Sequence, residues 1–112
     1  MVIIDSSRIG MITQINVLTV ASKDQAQLVR MMTEQARDVM ANQPGFISST
    51  IHKSDDGARV VNYVQWASRD LLDAAHASPA FLHHMERYRH LVIEAGPRIY
   101  AIAYSEEVDA KP

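Results

Sequence analysis

Residues 42–68 read NQPGFISSTIHKSDDGARVVNYVQWAS, and the punctuation of this stretch sets the fold. Pro44 disfavours helical geometry at Gln43 and Gly45 permits a turn, so an incoming helix must stop here. Phe46 to Lys53 then predicts a strand, Ser54-Asp-Asp-Gly57 a hairpin turn, and Arg59 to Trp66 the returning strand. Upstream, Leu28, Met32, Ala36, Val39 and Met40 recur at helical spacing, and Ser22-Lys-Asp-Gln25 has the Ser-x-x-Gln form of a capping box. Before that helix, residues 12 to 20 are rich in β-branched types and predict a strand. Downstream, Ser68 followed by Asp70 caps a helix carrying Leu71, Leu72 and Ala75. Ser78-Pro79 restarts that helix with proline at its first position. Phe81, Met85, Tyr88 and Val92 give the buried stripe, and Gly96-Pro97 ends it. Residues 99–104 predict the last strand, and residues 105–112 a loose polar tail.

The order is strand, helix, strand, strand, helix, strand. That is the α+β, ferredoxin-like βαββαβ plan, one antiparallel sheet with two helices on one face. Residues 1–112 read as a single domain with its core at 12–104, without linker, internal repeat or low-complexity segment. The chain has 112 residues, 47% of them apolar, which suits one small domain and argues against a disordered chain. Eleven Lys and Arg against 13 Asp and Glu leave a net charge of −2, which disfavours nucleic acid as a partner. With no cysteine, disulfides, thiolate-bound zinc and thiol nucleophiles are excluded. No apolar run approaches the roughly 18 residues a membrane helix needs. Met1-Val-Ile-Ile-Asp-Ser-Ser-Arg8 lacks the charge and apolar pattern of a signal peptide. A soluble, cytoplasmic protein with no membrane partner is expected.

Alternation along the strands adds a second expectation. Ile12, Gln14, Asn16 and Leu18 share a face of the first strand, opposed by Ile15 and Val17. Val60, Asn62, Val64 and Trp66 share a face of the third, opposed by Val61 and Tyr63. Both sheet faces are therefore largely apolar, while two helices can cover only one. The uncovered face predicts a homodimer with sheet packed on sheet, as in a shared α/β barrel.

The Pro44-Gly-Phe turn, the Asp56-Gly57 hairpin and the segment Asn62-Tyr-Val-Gln-Trp-Ala-Ser68 together resemble the antibiotic biosynthesis monooxygenase family over residues 12 to 104. The resemblance implies a dimeric ferredoxin-like α+β barrel. The nearest likeness within the family is to cofactor-independent monooxygenases of aromatic polyketide pathways, which convert an anthrone or quinol ring to a quinone with dioxygen. It implies a small aromatic substrate, dioxygen as co-substrate, and neither metal nor flavin. Such an enzyme needs a dry apolar pocket, hydrogen bonds for an enolate oxygen, and in some cases a base.

Asn62 lies mid-strand, where asparagine is disfavoured, and a buried amide in an apolar row needs a partner. The resemblance implies a donor to the substrate oxyanion or nascent peroxide. The other reading is a satisfied core amide or a bulge. Trp66, the single tryptophan, shares Asn62's face and can wall a planar substrate while offering its indole N–H, or simply fill the core. His52 depends on the hairpin register. A three-residue loop, Asp55-Asp-Gly57, sets His52 opposite Val60 and on Asn62's face, where an imidazole suits a general base; a two-residue loop turns it away.

Asn16 and His84 open a second functional reading. They match the asparagine and the iron-ligating histidine of the family's haem-degrading branch, so haem would be its substrate or cofactor. Ala75 stands where that branch carries a tryptophan. The bland reading makes His83, His84 and His90 a polar helix flank. Some polyketide oxygenases also use a tyrosine and an arginine. Leu72 occupies that tyrosine's place, and Arg87 and Arg89 read best as solvated charges. The methionines read as core filling, and Ser54-Asp-Asp-Gly57 as a turn rather than a cation site. A third reading is a non-catalytic dimeric ligand-binding or stress-related domain that keeps the fold without the chemistry.

Overall fold

The hairpin of residues 46–66 lies at one edge of a four-stranded antiparallel sheet in which the strands lie side by side in the order 46–53, 59–66, 12–20, 92–100. The computed structural model describes residues 10–109. In chain order the elements are β1 (Ile12–Val20), α1 (Gln25–Asp38), β2 (Phe46–Lys53), β3 (Arg59–Trp66), α2 (Arg69–His76), α3 (Pro79–Tyr88) and β4 (Val92–Tyr100). The expected ferredoxin-like α+β architecture is present, with the second helix broken in two at Ser78. The readings of residues 1–8 and of 110–112 lie outside the described residues. No helix among the described residues is long and apolar enough to cross a membrane.

Local chemistry explains most boundaries. Ser68 Oγ accepts from the Leu71 amide and Ser78 Oγ from the Phe81 amide, both at 3.3 Å, so each segment starts on its own serine cap. Gly45 holds φ of 85°, and a Cβ there would lie 2.5 Å from Leu71 Cδ1. Glycine is therefore required both for the turn and for the close approach of α2.

Three expectations are corrected. The Ser22 to Gln25 capping box does not form; residues Ser22–Asp24 make a short 3-10 turn, and α1 begins at Gln25. The Gln25 amide instead donates to the carbonyls of Ser54 and Arg59, both at 3.0 Å, tying the helix start to the β2–β3 hairpin. Next, the final strand occupies Val92–Tyr100 rather than 99–104, and α3 stops at Tyr88. Gly96-Pro97 lies inside this strand, where β4 is an edge and tolerates proline. Val92, expected on the helix stripe, pairs with Val20. Finally, the hairpin loop has four residues: Ser54 N–H donates to Arg59 O at 3.0 Å, closing residues 55–58. Within it Gly57 holds φ of 77°, and Asp56 accepts from Ser54 Oγ at 2.7 Å and from the Ala58 amide at 2.9 Å. These bonds hold the Asp56 carboxyl below its ordinary range.

The helices cover the face that carries Leu18, Val60, Val64 and Trp66. Two apolar clusters fill this layer. One joins Leu18, Val20, Leu28, Met32, Val60, Tyr88 and Leu91. The other joins Val39, Met40, Val64, Trp66, Leu72 and Ala75. The opposite face bears Ile15, Val17, Val61 and Tyr63, with Val17 38% exposed.

Candidate active site

A cavity of about 240 Å³ opens within the helix–sheet layer. That is slightly below the roughly 300–1,000 Å³ of pockets for drug-sized ligands, and suits a compact flat molecule. Its walls are mostly apolar and aromatic. Phe46 and Trp66 meet edge-to-face with ring centroids 5.5 Å apart. His76 lies edge-on to Trp66 at 6.3 Å and stacks on Phe81 at 4.8 Å.

The polar groups of this chamber come from five elements: β1, β2, β3, α1 and, through His76, α2. Asn16 on β1 and Asn62 on β3 are direct cross-strand partners, so period-2 alternation sends both amides toward the helices. Ser49 on β2 donates its hydroxyl to Asn62 Oδ1 at 2.8 Å. With its oxygen so engaged, the Asn62 amide has its two N–H donors left for the chamber. An irregularity between Phe46 and Ser48 makes this possible: Phe46 faces Trp66, Ser48 faces Gln65, and Ser49 faces Val64. Strict alternation would send Phe46 and Ser49 to opposite faces; the extra residue brings both inward.

From the helical side, α1 supplies Gln35, only 5% exposed. Tyr88 of α3 donates its phenol O–H to Gln35 Oε1 at 2.9 Å. Burial pushes the Tyr88 phenol above its ordinary value, which keeps it a donor at neutral pH. Among the described residues no group partners Gln35 Nε2, Trp66 Nε1 or Asn16 Oδ1, although all three atoms are buried. Buried polar atoms in folded proteins are ordinarily paired, and leaving one unpaired costs roughly 1–3 kcal/mol. All three belong to residues that line the chamber.

The structure brings Asn62, Trp66 and Asn16 together and separates the other two candidates from them. His52 is a correction. It pairs with Val61, not Val60, because the four-residue loop slips the register by one, and it lies exposed on the face away from Asn62. His84 is not among the chamber's described lining residues. It sits edge-on to His83 at 6.3 Å. Asn16 and His84 therefore do not converge on one cavity, and Ala75 is a buried core residue. Arg87 and Arg89 make exposed pairs with Glu34 at 3.9 Å and Glu86 at 2.8 Å.

Sequence reasoning missed Gln35, Ser49 and His76. The signal for His76 was available: it stands four residues after Leu72, on the buried face of α2. Gln35 carried a weaker one, three residues after Met32 on the same stripe.

A ferredoxin-like layer enclosing a ligand-hungry, aromatic-walled chamber defines a small-molecule enzyme more readily than a scaffold. The family comparison agrees. The antibiotic biosynthesis monooxygenase profile matches residues 11–87. The chain belongs to that family and is, with it, a monooxygenase of the antibiotic biosynthesis type. It is 39% identical over 77 residues, 69% of each chain, to tetracenomycin-F1 monooxygenase of Streptomyces glaucescens. A mutant form of SnoaB, a cofactor-independent oxygenase from Streptomyces nogalater, superposes with a TM-score of 0.77 at 25% identity, covering 86% of this chain and 96% of that one. The ActVA-Orf6 monooxygenase of Streptomyces coelicolor in complex with nanaomycin D superposes with a TM-score of 0.78 at 24% identity, covering 93% and 96%, a likeness of fold.

Proposed function

We propose that this enzyme oxidises a compact electron-rich aromatic, an anthrone or quinol of polyketide type, to a quinone with dioxygen and without metal or flavin. The observation that carries the reading is one chamber lined by Asn16, Gln35, Trp66 and the Ser49-oriented Asn62, the first three each holding a buried, unpartnered polar atom. Similarity to tetracenomycin-F1 monooxygenase and to the cofactor-independent SnoaB supports the same chemistry.

The lining offers N–H donors to a substrate oxygen that becomes an anion, and one carbonyl acceptor to a second hydroxyl. Donors fixed by folding stabilise developing charge without reorganising when it forms. Asn62 is the foremost such donor, with Trp66 as wall and second donor and Asn16 as substrate contact. Loss of a proton from the substrate gives an electron-rich enolate. One electron passes to dioxygen, and recombination at the ring carbon gives a peroxide. Protonation and loss of water leave the carbonyl, so a ring CH2 plus O2 becomes C=O plus H2O.

The test is oxygen uptake with a panel of anthrones and hydroxylated naphthalenes, in protein treated with chelator and shown free of flavin. One dioxygen consumed per quinone formed is expected. No uptake above the spontaneous rate with any member would overturn the proposal.

The homodimer remains part of this reading. Ile15, Val17, Val61 and Tyr63 on the outer sheet face, and Tyr100 at its edge, form an apolar surface for a second copy. Light scattering at micromolar concentration should give twice the chain mass; the monomer mass would remove the proposal.

A further inference from the structure

His76 is the one titratable side chain among the described residues that line the chamber. Of the other four histidines, His52, His83 and His90 are exposed and His84 lies off the lining. His76 closes α2, stacked on Phe81 at an interplanar angle of 26° and edge-on to Trp66 at 80°. Its ring therefore lies beside the indole in the wall of the chamber that Asn16 and Asn62 also line.

We propose that His76 is the general base of the reaction: its free ring nitrogen takes the acidic proton of the aromatic substrate held in the chamber. This rests on the monooxygenase reading above and deepens it. The substrate O–H or C–H bond breaks, its electron pair stays on the substrate, and an N–H bond forms on His76. The resulting imidazolium returns that proton to the peroxide anion once dioxygen has joined the ring carbon, which restores neutral His76.

The electrostatic setting suits this role. Burial pushes the His76 ring below the ordinary histidine value of 6.5, and the carboxylate of Asp73 on the same helix partly opposes that shift. From β3 it faces Trp66 and from α3 it faces Phe81, neither of them charged. No Asp, Glu, Lys or Arg stands among the described lining residues. The ring is thus neutral at pH 7 with a lone pair to offer.

The experiment separates proton transfer from oxidation. Dithranol, a hydroxylated anthrone, is titrated into the protein under argon, reading Trp66 fluorescence for binding and the long-wavelength absorbance of the anthrone anion for proton transfer. Wild type should bind and develop the anion band. His76→Gln should bind within threefold of wild type and develop at least tenfold less anion. In air, the acid limb of the wild-type kcat profile should fall below pH 6.5 and vanish in His76→Gln, and imidazole should restore turnover to His76→Ala. If His76→Gln fails to fold by circular dichroism, His76→Phe, which keeps the stack on Phe81, takes its place. A full anion band in the folded variant would overturn the base assignment and leave the oxygenase reading standing. Anion formation without oxygen uptake in air would do the reverse. Failure of wild type to bind, or binding without anion, would overturn the base.

Discussion

Within the helix–sheet layer, two regions built from the same strands do opposite things. On β1, Leu18 is buried in the solid cluster with Val20, Leu28 and Val60, while Asn16, two residues earlier on the same face, lines the chamber. On β3, Val60 packs solidly while Asn62 faces the cavity. One step along a shared strand face thus separates a close-packed core from a hollow lined with unpaired polar atoms. The solid half supplies the rigidity that holds the hollow half's unsatisfied groups in place, a cost that a ligand can offset.

The sharpest way to probe this division is to damage each half in turn. Leu28→Ala should cost about 2–5 kcal/mol of stability, as expected for a leucine wholly removed from water. Denaturant unfolding measures this, and turnover per folded molecule should be unchanged. Asn62→Ala should show the converse, a fall in kcat of about 100- to 1,000-fold with little movement of the melting temperature. If Asn62→Ala instead unfolds the protein as Leu28→Ala does, the two halves are not distinct. Ser49→Ala removes the hydroxyl that orients the Asn62 amide. Its expected effect is a fall in kcat of about fivefold to tenfold, the equivalent of one hydrogen bond. The smallest effect belongs to His52→Ala. On an exposed strand position facing away from the chamber, it should stay within about 0.5 kcal/mol in stability and leave oxygen uptake at the wild-type rate.

Legibility followed the range of the interactions. β1, β2 and β3 occupy the spans expected of them, and the serine caps of α2 and α3 form as expected. Asn62 and Trp66 could be placed together because they lie four residues apart on one strand, where alternation alone fixes the face. Gly96-Pro97 misled because proline breaks helices and central strands alike; only β4's place at the sheet edge makes it tolerable there. His52 was lost to a single added loop residue, closed by Ser54 and Arg59 bonds that no pattern of residue types reveals.

The amino-acid sequence by itself determined the order of elements and which residues share a face of β1 and of β3, with Asn16 on one such face and Asn62 beside Trp66 on the other strand's. These follow from periodicity and capping, which act over a few residues. Only the tertiary structure decided that Gln35, Tyr88 and His76 meet them. Their placement depends on how three helices rotate and settle on the sheet, and on a β2 irregularity that turns Ser49 inward. Such contacts join residues as far apart as Gln35 and Tyr88, and packing of the whole layer, not local preference, sets them.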